Sequence, residues 1–352
     1  MLKKQSRSFT VIFFFAVFFT ISAVVFVFIA LKKHTEVTIE KDYINDIVQH
    51  NNFSNQVHTD SLWGSPRGIG IGFVWPEERK TPPEYRSQTE EIDLGDKKSL
   101  DPLLILTTSR KTTVLVSVIL DYQQIPFEMD GQIGLLHEVN ILPGGDFEIP
   151  IRIPITSPGV HDLIVVAFAD PYNGSLDANF RSALDVDVVG RRAQIISSGK
   201  SKPAIQGLEV IEGEPVPGDV ALGLGVSFAA KPKPGETTHP SERQLYVSSG
   251  KTSELYQFDI WASNLNGEMA SEYALLVFKN FHQINVDDRN VLLINLNQNE
   301  EAIINAEIKL SEKPGIDQIQ IVYVFDPYKS ILHEEVRAAF VFNSPRLAIE
   351  VR

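Results

Sequence analysis

Short stretches of this chain alternate apolar and polar residues at the spacing of β-strands. In residues 147–155 every second position is apolar, and prolines and charged residues occupy the positions between. A period of two predicts a strand with one buried face, and proline on the outward positions favours the edge of a sheet. Residues 302–310 repeat the alternation, so we expect two strands of this kind.

Two other stretches, residues 163–169 and 319–325, are apolar at nearly every position. Continuous apolar runs of this length are typical of central strands that are buried on both faces. Each run follows a Pro-Gly pair and ends in Asp-Pro-Tyr. Both of these flanking motifs are turn signals, so the limits of the two strands are well marked.

The two apolar runs belong to a duplicated unit. Residues 158–181 align without a gap to residues 314–337, and eight of the 24 positions are identical. A match at a fixed spacing of 156 residues indicates one structural unit that is used twice. The shared residues are turn and core types, so the sequence reveals architecture more than activity.

Other correspondences extend the duplication along the chain. Residues 68–73 resemble residues 221–226, and residues 114–122 are paired with residues 255–262. With this alignment the second copy is longer by about 16 residues around positions 278–297. We expect the two copies to differ in function there, because binding residues concentrate in loops.

Residues 181–189 and 337–342 are predicted to form the closing strand of each copy. The units are then a first repeat at 66–198 and a second at 217–352, with residues 199–216 as a linker. Six or seven strands per unit, short turns and no long helical pattern predict an all-β fold of two tandem β-sandwiches.

Residues 9–31 form an uncharged apolar run of 23 residues. As a helix the run would reach roughly 35 Å, enough to cross a hydrocarbon core of ~30 Å. A cleavable signal peptide is the alternative, but its apolar region is about 7–15 residues long and ends at a small-x-small site. Lys32 and Lys33 follow this run instead. We therefore predict a transmembrane signal anchor.

The basic residues on the two sides of the anchor nearly balance, so they do not decide its orientation. A short N-terminal tail stays easily in the cytoplasm, whereas long soluble domains translocate largely regardless of charge. Residues 1–8 are accordingly predicted as a cytoplasmic tail, and residues 32–65 as a polar stem outside the membrane. Apolar residues with helical spacing at 39–48 favour a short amphipathic helix in the stem.

Composition agrees with an exported body. The chain carries 32 basic and 45 acidic residues, for a net charge of −13. An acidic body has no electrostatic footprint for nucleic acid. The chain also has no cysteine, which excludes disulfides, thiolate metal sites and cysteine nucleophiles. Extracellular eukaryotic sandwiches ordinarily carry disulfides, so a single-pass protein of a bacterial cell envelope is the better interpretation.

The order Pro-Gly, apolar strand, Asp-Pro resembles bacterial immunoglobulin-like domains of the cell-adhesion-related (CARDB-like) kind. The residues that carry this resemblance are Pro158, Gly159, Asp170, Pro171, Tyr172, Arg181, Pro314, Gly315, Asp326, Pro327, Tyr328 and Arg337. The resemblance implies two tandem immunoglobulin-like sandwiches behind the anchor. It also implies a role in spacing, adhesion or protein docking, and structural rather than catalytic roles for these residues.

No reactive set is recognisable in the sequence. The Gly-x-Gly pattern of residues 68–73 lacks the helix that a nucleotide site needs, the eight histidines show no zinc spacing, and no G-x-S-x-G elbow occurs. We predict no catalytic, cofactor-binding or metal site. Asp170 and Asp326 are candidates for calcium, because loop carboxylates are hard oxygen ligands. Their alternative role is to accept backbone hydrogen bonds in turns that precede proline.

The sequence therefore predicts a non-catalytic, membrane-anchored protein that binds a protein partner in the envelope, adheres to it or acts as a spacer. Two alternatives remain open. One is a carbohydrate-active enzyme that uses loop carboxylates, which would need to face each other at ~5–9 Å. The other is an accessory subunit of an envelope membrane complex.

Overall fold

The computed structural model describes most of the chain after residue 45. The described residues are 46–50, 56–57, 68–81, 85–87, 89–143, 146–182, 188–198, 208–217, 225–264, 271–331 and 341–352. The predicted cytoplasmic tail and transmembrane helix, residues 1–8 and 9–31, lie outside this part. Within it, no helix combines the length and the apolar composition that a bilayer crossing requires.

The first unit consists almost entirely of strands. One short helix, α1, covers Ala178–Ser182, and a 3₁₀ helix covers Pro76–Glu78. The strands are β1 (Ile47–His50), β2 (Gln56–Val57), β3 (Ile69–Val74), β4 (Glu91–Gly95), β5 (Ser99–Leu100), β6 (Leu103–Thr108), β7 (Thr112–Leu120), β8 (Gln123–Ile125), β9 (Phe127–Met129), β10 (Gln132–Gly134), β11 (Leu136–Ile141), β12 (Asp146–Pro154), β13 (Gly159–Ala169) and β14 (Val188–Ser197).

The second unit is equally rich in strands, with a 3₁₀ helix at Pro240–Glu242. Its strands are β15 (Val210–Glu212), β16 (Glu214–Pro215), β17 (Val226–Ala230), β18 (Val247–Gly250), β19 (Leu255–Ser263), β20 (Ser271–Lys279), β21 (His282–Ile284), β22 (Leu292–Leu296), β23 (Glu300–Lys309), β24 (Gly315–Phe325), β25 (Val341–Asn343) and β26 (Leu347–Val351).

Two sheets form the first unit. One has the order β1-β11-β7-β13-β14-β4 with β8 beside β7, and the other has the order β10-β9-β12-β6-β3 with β2 and β5 beside β12. Val116 and Val165 of the first sheet share one core with Leu104 and Ile149 of the second. Two sheets that enclose a common apolar core form a β-sandwich.

The second unit repeats this arrangement. Its sheets have the orders β15-β22-β20-β24-β26-β18, with β21 and β25 attached, and β16-β23-β19-β17. Leu275 and Ile321 of the larger sheet share a core with Phe228 and Ile260 of the smaller one. The prediction of an all-β fold is confirmed.

The two sandwiches pack against each other through the sheets that contain β13 and β24. Ile164, Val166 and Phe168 of β13 lie with Val322 and Val324 of β24 in a third apolar core. Side chains of successive strand residues point to opposite faces. Alternate residues of these strands therefore face their own sandwich and the neighbouring repeat, which explains why both runs are apolar at nearly every position.

The sheet order corrects the predicted pairing of residues 114–122 with residues 255–262. β7 and β20 occupy the same place in their sheets, beside β13 and β24 respectively. Residues Leu255–Ser263 form β19, which pairs with β23 in the smaller sheet, so its counterpart is β6. All of these segments are apolar strands of similar length, and only the hydrogen-bonded ladders distinguish them.

The predicted extra length around residues 278–297 is therefore wrong. Val114 and Tyr273 are counterparts near the start of β7 and β20, and they lie opposite residues of β11 and β22 respectively. Val139 is 25 positions after Val114 in the first repeat, whereas Ile294 is 21 positions after Tyr273 in the second. The second repeat is shorter in this segment.

Strands also occur within the predicted stem and within the predicted linker. β1 and β2 lie within the predicted stem 32–65, and β1 pairs in parallel with β11, so a helix is wrong at Ile47 and Val48. β15 and β16 lie within the predicted linker 199–216 and pair with β22 and β23. Hydrogen bonding to an existing sheet edge outweighs weak local propensity in such short segments.

The closing strand of the first repeat is displaced from its predicted position. Residues 178–182 form α1, and β14 begins at Val188 rather than at Arg181. In the second repeat, positions 337–340 of the predicted strand 337–342 lie outside the described residues, and its last two residues belong to β25. β26 follows and lies beside β24.

Candidate functional site

The duplicated motif lies at the two ends of β13 and β24. Pro158 and Gly159 enter β13, as Pro314 and Gly315 enter β24. At the other end Asp170 and Asp326 have left-handed backbones, with φ angles of 43° and 48°. Aspartate tolerates this conformation better than most residues do, so the same turn explains why aspartate occupies this position in both repeats.

The two calcium candidates have basic partners. The carboxylate of Asp170 lies 2.6 Å from the Arg110 guanidinium, and that of Asp326 lies 2.6 Å from the Lys329 ammonium. A cation already occupies one side of each carboxylate and would have to be displaced by a metal ion. Among the described residues, His, Asp and Glu form no group of three or more that could hold a metal ion.

The motif tyrosines face the interface between the repeats. The Tyr172 hydroxyl donates a hydrogen bond to the Glu138 carboxylate. Burial and this bond raise the pKa of Tyr172 well above its usual range. The backbone N–H of Tyr328 donates to Asp162 Oδ2 at 2.7 Å, and the Tyr328 ring packs edge-on against Tyr122 of the first repeat.

Arg181, the last residue of the first motif, is also buried at this interface. Its guanidinium donates to the carbonyl oxygens of Ser175 and Asn173 at 2.8 and 2.7 Å, and to the Gln318 side chain at 3.2 Å. It therefore links its own loop to β24. Its counterpart Arg337 lies outside the described residues.

A second pair of arginines joins the repeats more directly. Arg192 of β14 donates to both carboxylate oxygens of Asp162, at 3.0 and 2.8 Å. It also reaches across the interface to the carbonyl oxygens of Phe325 and Asp326, at 2.7 and 3.1 Å. Both Arg192 and Asp162 are fully buried, and each neutralises the charge of the other inside the protein.

Arg346 makes the reciprocal contacts. It donates to the carbonyl oxygens of Ala169 and Asp170 of the first repeat, at 2.9 and 3.3 Å, and to Gln318 Oε1 at 3.2 Å. Ala169 and Asp170 are the counterparts of the residues that Arg192 contacts, at the same spacing of 156. Each repeat therefore caps the end of the other repeat's central strand with a buried arginine.

Two glutamines repeat this symmetry elsewhere in the interface. The backbone N–H of Gln124 donates to Gln283 Oε1 at 2.6 Å, and that of Gln283 donates to Gln124 Oε1 at 2.9 Å. Their amide groups donate across the interface to the carbonyl oxygens of Phe281 and Tyr122, at 3.1 and 2.8 Å. The two-fold relation between the repeats thus extends to individual hydrogen bonds.

The sequence motif includes Tyr172, Arg181 and Tyr328, but the sequence did not indicate the arginine pair Arg192 and Arg346 or the two glutamines. Asp121 to Ile125 read DYQQI and Asn280 to Ile284 read NFHQI, which is the signal that could have identified them. It was missed because β7 was paired with the wrong strand of the second repeat. Arg192 and Arg346 lie at different distances along the chain from Asp170 and Asp326, so a search at the fixed spacing of 156 residues does not align them.

The outer face of the smaller sheet in the second repeat carries a buried polar cluster. Lys231 Nζ lies 2.6 Å from Asp259, and Trp261 Nε1 donates to Glu301 at 2.6 Å. His239 also lies 2.8 Å from Glu301, and its ring packs edge-on against Trp261. The connector that begins at Lys231 is therefore fixed to the sheet by charge pairing.

Beside this cluster lies an open polar cleft of about 620 Å³. It is bounded by the turn that contains Asp287 and Asp288 and by the outward residues Asn305 and Glu307 of β23, with Lys231 at one side. Three carboxylates thus border the cleft. The one cation among these residues, Lys231, is already bonded to Asp259.

Comparisons with known proteins give distant similarities. No protein-family model matches the sequence, and no curated protein matches it significantly. Among solved structures, the chain is similar to the CARDB domain of a Pyrococcus furiosus protein, described in complex with di-metal ions. The identity is 14%, the match covers 31% of this chain and 81% of that one, and the TM-score is 0.22.

Other similar structures are larger proteins. Escherichia coli alpha-2-macroglobulin in its native conformation is 10% identical over 81% of this chain and 17% of its own, with a TM-score of 0.25. Red sea bream transglutaminase is 8% identical over 82% of this chain and 31% of its own, with a TM-score of 0.21. Because these TM-scores are low, the all-β assignment rests on the sheets themselves. The Pyrococcus structure is of the domain type that the sequence motif resembles.

Proposed function

We propose that this protein is a membrane-anchored, extracytoplasmic binding protein whose two immunoglobulin-like sandwiches act as one rigid unit. Its role is to hold a docking surface at a fixed position above the bilayer, as an adhesion or spacer module, without catalysing a reaction. The buried, reciprocal interface between the repeats is the observation that carries the proposal. Tandem domains ordinarily move relative to each other, and this interface opposes such motion.

Separation of the repeats would expose costly groups. Arg192 and Asp162 would keep their own ion pair, but the carbonyl oxygens of Phe325 and Asp326 would lose their buried donor. The apolar core around Phe168 would also become exposed to water. Separation would lose both apolar burial and buried hydrogen bonds, so the arrangement in which the two repeats pack together is favoured.

The proposed placement is supported by the uncharged run at residues 9–31, by the acidic body and by the absence of cysteine. An acidic surface favours basic partners and repels nucleic acid and anionic lipid. The proposed partner is therefore a protein of the cell envelope. A role as an accessory subunit of a membrane complex is one form of this function.

Distance measurements between spin labels would test the rigidity. The chain has no cysteine, so Ile133→Cys and Leu255→Cys, at exposed positions of the first and second repeats, can be labelled in the full-length protein. We expect one narrow distance distribution. Ile133→Cys with Leu142→Cys, both in the first repeat, provides the reference width. A distribution between the repeats that is much broader than this reference would contradict a rigid unit.

Labelling of intact cells would test the placement. A membrane-impermeant maleimide should modify Ile133→Cys in intact cells, whereas Ser6→Cys, in the predicted cytoplasmic tail, should react only after permeabilisation. The opposite pattern, or protection of both positions, would contradict an extracytoplasmic body.

A further inference from the structure

The outer edge of β12 in the first repeat is covered by a strand of the same chain. β9 pairs with β12 in the antiparallel sense, with Ile151 opposite Met129 and Arg152 opposite Glu128. The backbone N–H of Asp130 donates to the carbonyl oxygen of Pro150 at 3.0 Å. β10 continues the sheet beyond β9, so the backbone groups at this part of β12 have partners.

Among the described residues of the second repeat, no strand is the counterpart of β9. Val286 is buried in the sandwich core, as Phe127 of β9 is in the first repeat. In the second repeat, however, the chain reverses at once through Asp287 and Asp288, whose φ angles are 54° and 60°. A single bridge between Val286 and Arg289 closes this turn, so no residues remain to form the covering strand.

In the part of the chain that the structure describes, the corresponding edge of β23 is consequently open. When Phe147 is set against Ala302, Ile151 and Arg152 correspond to Ala306 and Glu307. β16 pairs with Glu300 and Glu301 on this side of β23. Among the described strands, none pairs with β23 beyond Glu301 on that side. The polar cleft lies at this edge, where Ala306 and Glu307 are among its lining residues.

The orientation of the backbone identifies the groups that are available. In an antiparallel ladder, alternate residues direct their N–H and C=O groups to opposite neighbours. Leu310 N donates to Glu254 O on the β19 side. Residues an odd number of positions before Leu310 therefore direct their backbone groups to the open edge. Among them are Ile303, Asn305 and Glu307. Asn305 is the counterpart of Pro150, whose carbonyl accepts from Asp130 in the first repeat.

We propose that the open edge of β23 binds an extended, basic segment of a partner protein as an additional antiparallel strand. This inference rests on the proposed binding function and identifies its surface. Main-chain hydrogen bonds would provide affinity, as in other strand-addition complexes. Asp287, Asp288 and Glu307 border the cleft, and Lys231 is already neutralised by Asp259, so basic side chains are the complementary ones.

The same charges disfavour a second copy of this chain at the edge. Two such edges in contact would bring the carboxylates of Asp287, Asp288 and Glu307 against an identical set. Like charges placed opposite each other across a strand pair are destabilising. The partner segment is therefore expected to come from another protein.

Peptide binding to the full-length protein in detergent micelles would test the proposal. The probe is a fluorescent nine-residue peptide of alternating lysine and valine, and the comparison peptide has glutamate in place of lysine. We expect saturable binding of the lysine peptide, weakened by salt, and no binding of the glutamate peptide. Hydrogen exchange should slow at the backbone amides of Ile303, Asn305 and Glu307 when the lysine peptide is present.

Two sets of variants would locate the site. Asn305→Pro removes a donor at the open edge without affecting the β19 ladder, and the first repeat already carries Pro150 at the corresponding position. It should weaken binding about tenfold. Asp287→Asn with Asp288→Asn keeps the left-handed turn but removes two charges, and should weaken binding about three- to tenfold. Asp130→Asn, in the corresponding turn of the first repeat, is the matched control and should have no effect.

Equal binding of both peptides would overturn the proposal. So would undiminished binding to both sets of variants, or a wild-type protein that dimerises through this edge and excludes the peptide. If no peptide binds and the three amides show no protection, the edge does not accept a basic strand. The spin-label widths and the cysteine accessibility described above would not change in any of these cases. Failure here is therefore distinguishable from failure of the proposed function.

Discussion

Acidification should destabilise the first sandwich through a buried pair of histidines. Nε2 of His50, in β1, lies 2.8 Å from Nδ1 of His137, in β11. Nε2 of His137 lies 3.1 Å from the carbonyl oxygen of Phe127 and must donate to it, because that oxygen can only accept. Nδ1 of His137 then accepts from Nε2 of His50, so the arrangement requires the His137 ring to be neutral.

The magnitude follows from the pKa of His137. Burial lowers this pKa from its ordinary value of 6.5 to about 4, and burial also lowers the pKa of His50. Because the folded-state pKa is the lower one, the unfolded chain takes up a proton first as the pH falls. The stabilisation is complete above pH 6.5 and is lost as the pH falls towards about 4. Linkage predicts a loss of about 2 kcal/mol from His137 between about pH 7.5 and about pH 5.

Urea unfolding of the full-length protein at both pH values would measure this loss. The wild type should lose about 2 kcal/mol more than His137→Gln, whose side chain does not titrate. His161→Gln is a control in which the pH dependence of the free energy of unfolding should change in the opposite direction. A hydrogen bond to Asp121 raises the pKa of His161, so this residue stabilises the folded protein at low pH. That contribution is present below pH 6.5 and is lost as the pH rises through the folded-state pKa. If NMR shows that His137 titrates near 6.5, or if the wild type and His137→Gln share one pH dependence, the reasoning fails.

Three substitutions at the interface give further predictions. Arg192→Met leaves the carboxylate of Asp162 buried without its cation and should destabilise the protein by about 3–5 kcal/mol in urea unfolding, whereas the double change Arg192→Met with Asp162→Leu should recover part of that loss. The recovery is incomplete because the buried carbonyl oxygens of Phe325 and Asp326 and the Tyr122 hydroxyl still lack their partners. Gly190→Ala would place a methyl group 2.6 Å from Val341 of the second repeat. It should cost about 1–3 kcal/mol and broaden the spin-label distances, and an unchanged protein would contradict the close packing. Gln283→Ala removes a side chain that bonds to the first repeat and should cost about 1–3 kcal/mol, which a thermal melt would detect.

The strand pattern and the duplication were readable from local sequence. The alternation of residues 147–155 and 302–310 reports which face of a strand is buried, and Pro-Gly and Asp-Pro-Tyr mark where β13 and β24 begin and end. Both signals depend on single residues and their immediate neighbours. The turn geometry of Asp170 follows from the same local chemistry, as its φ angle of 43° shows.

Strand pairing was not readable in this way. Residues 114–122 and 255–262 have similar apolar patterns, but one segment lies beside β13 and the other in the smaller sheet. The short strand β1 has too few residues to carry a pattern of its own. Its conformation is fixed by hydrogen bonds to β11, and such partners are distant in sequence.

The duplication and the all-β class can be read from the sequence alone, because periodicity and turn residues are local properties. The folded arrangement is needed to see that the second face of β13 and β24 is covered by the other repeat, and that Arg192 and Arg346 cap the ends of β24 and β13. The fold also leaves an edge of β23 without a partner among the described strands, where β12 is covered. The type of a side chain indicates whether it requires burial or an opposite charge. The path of the chain in space determines which residue provides it.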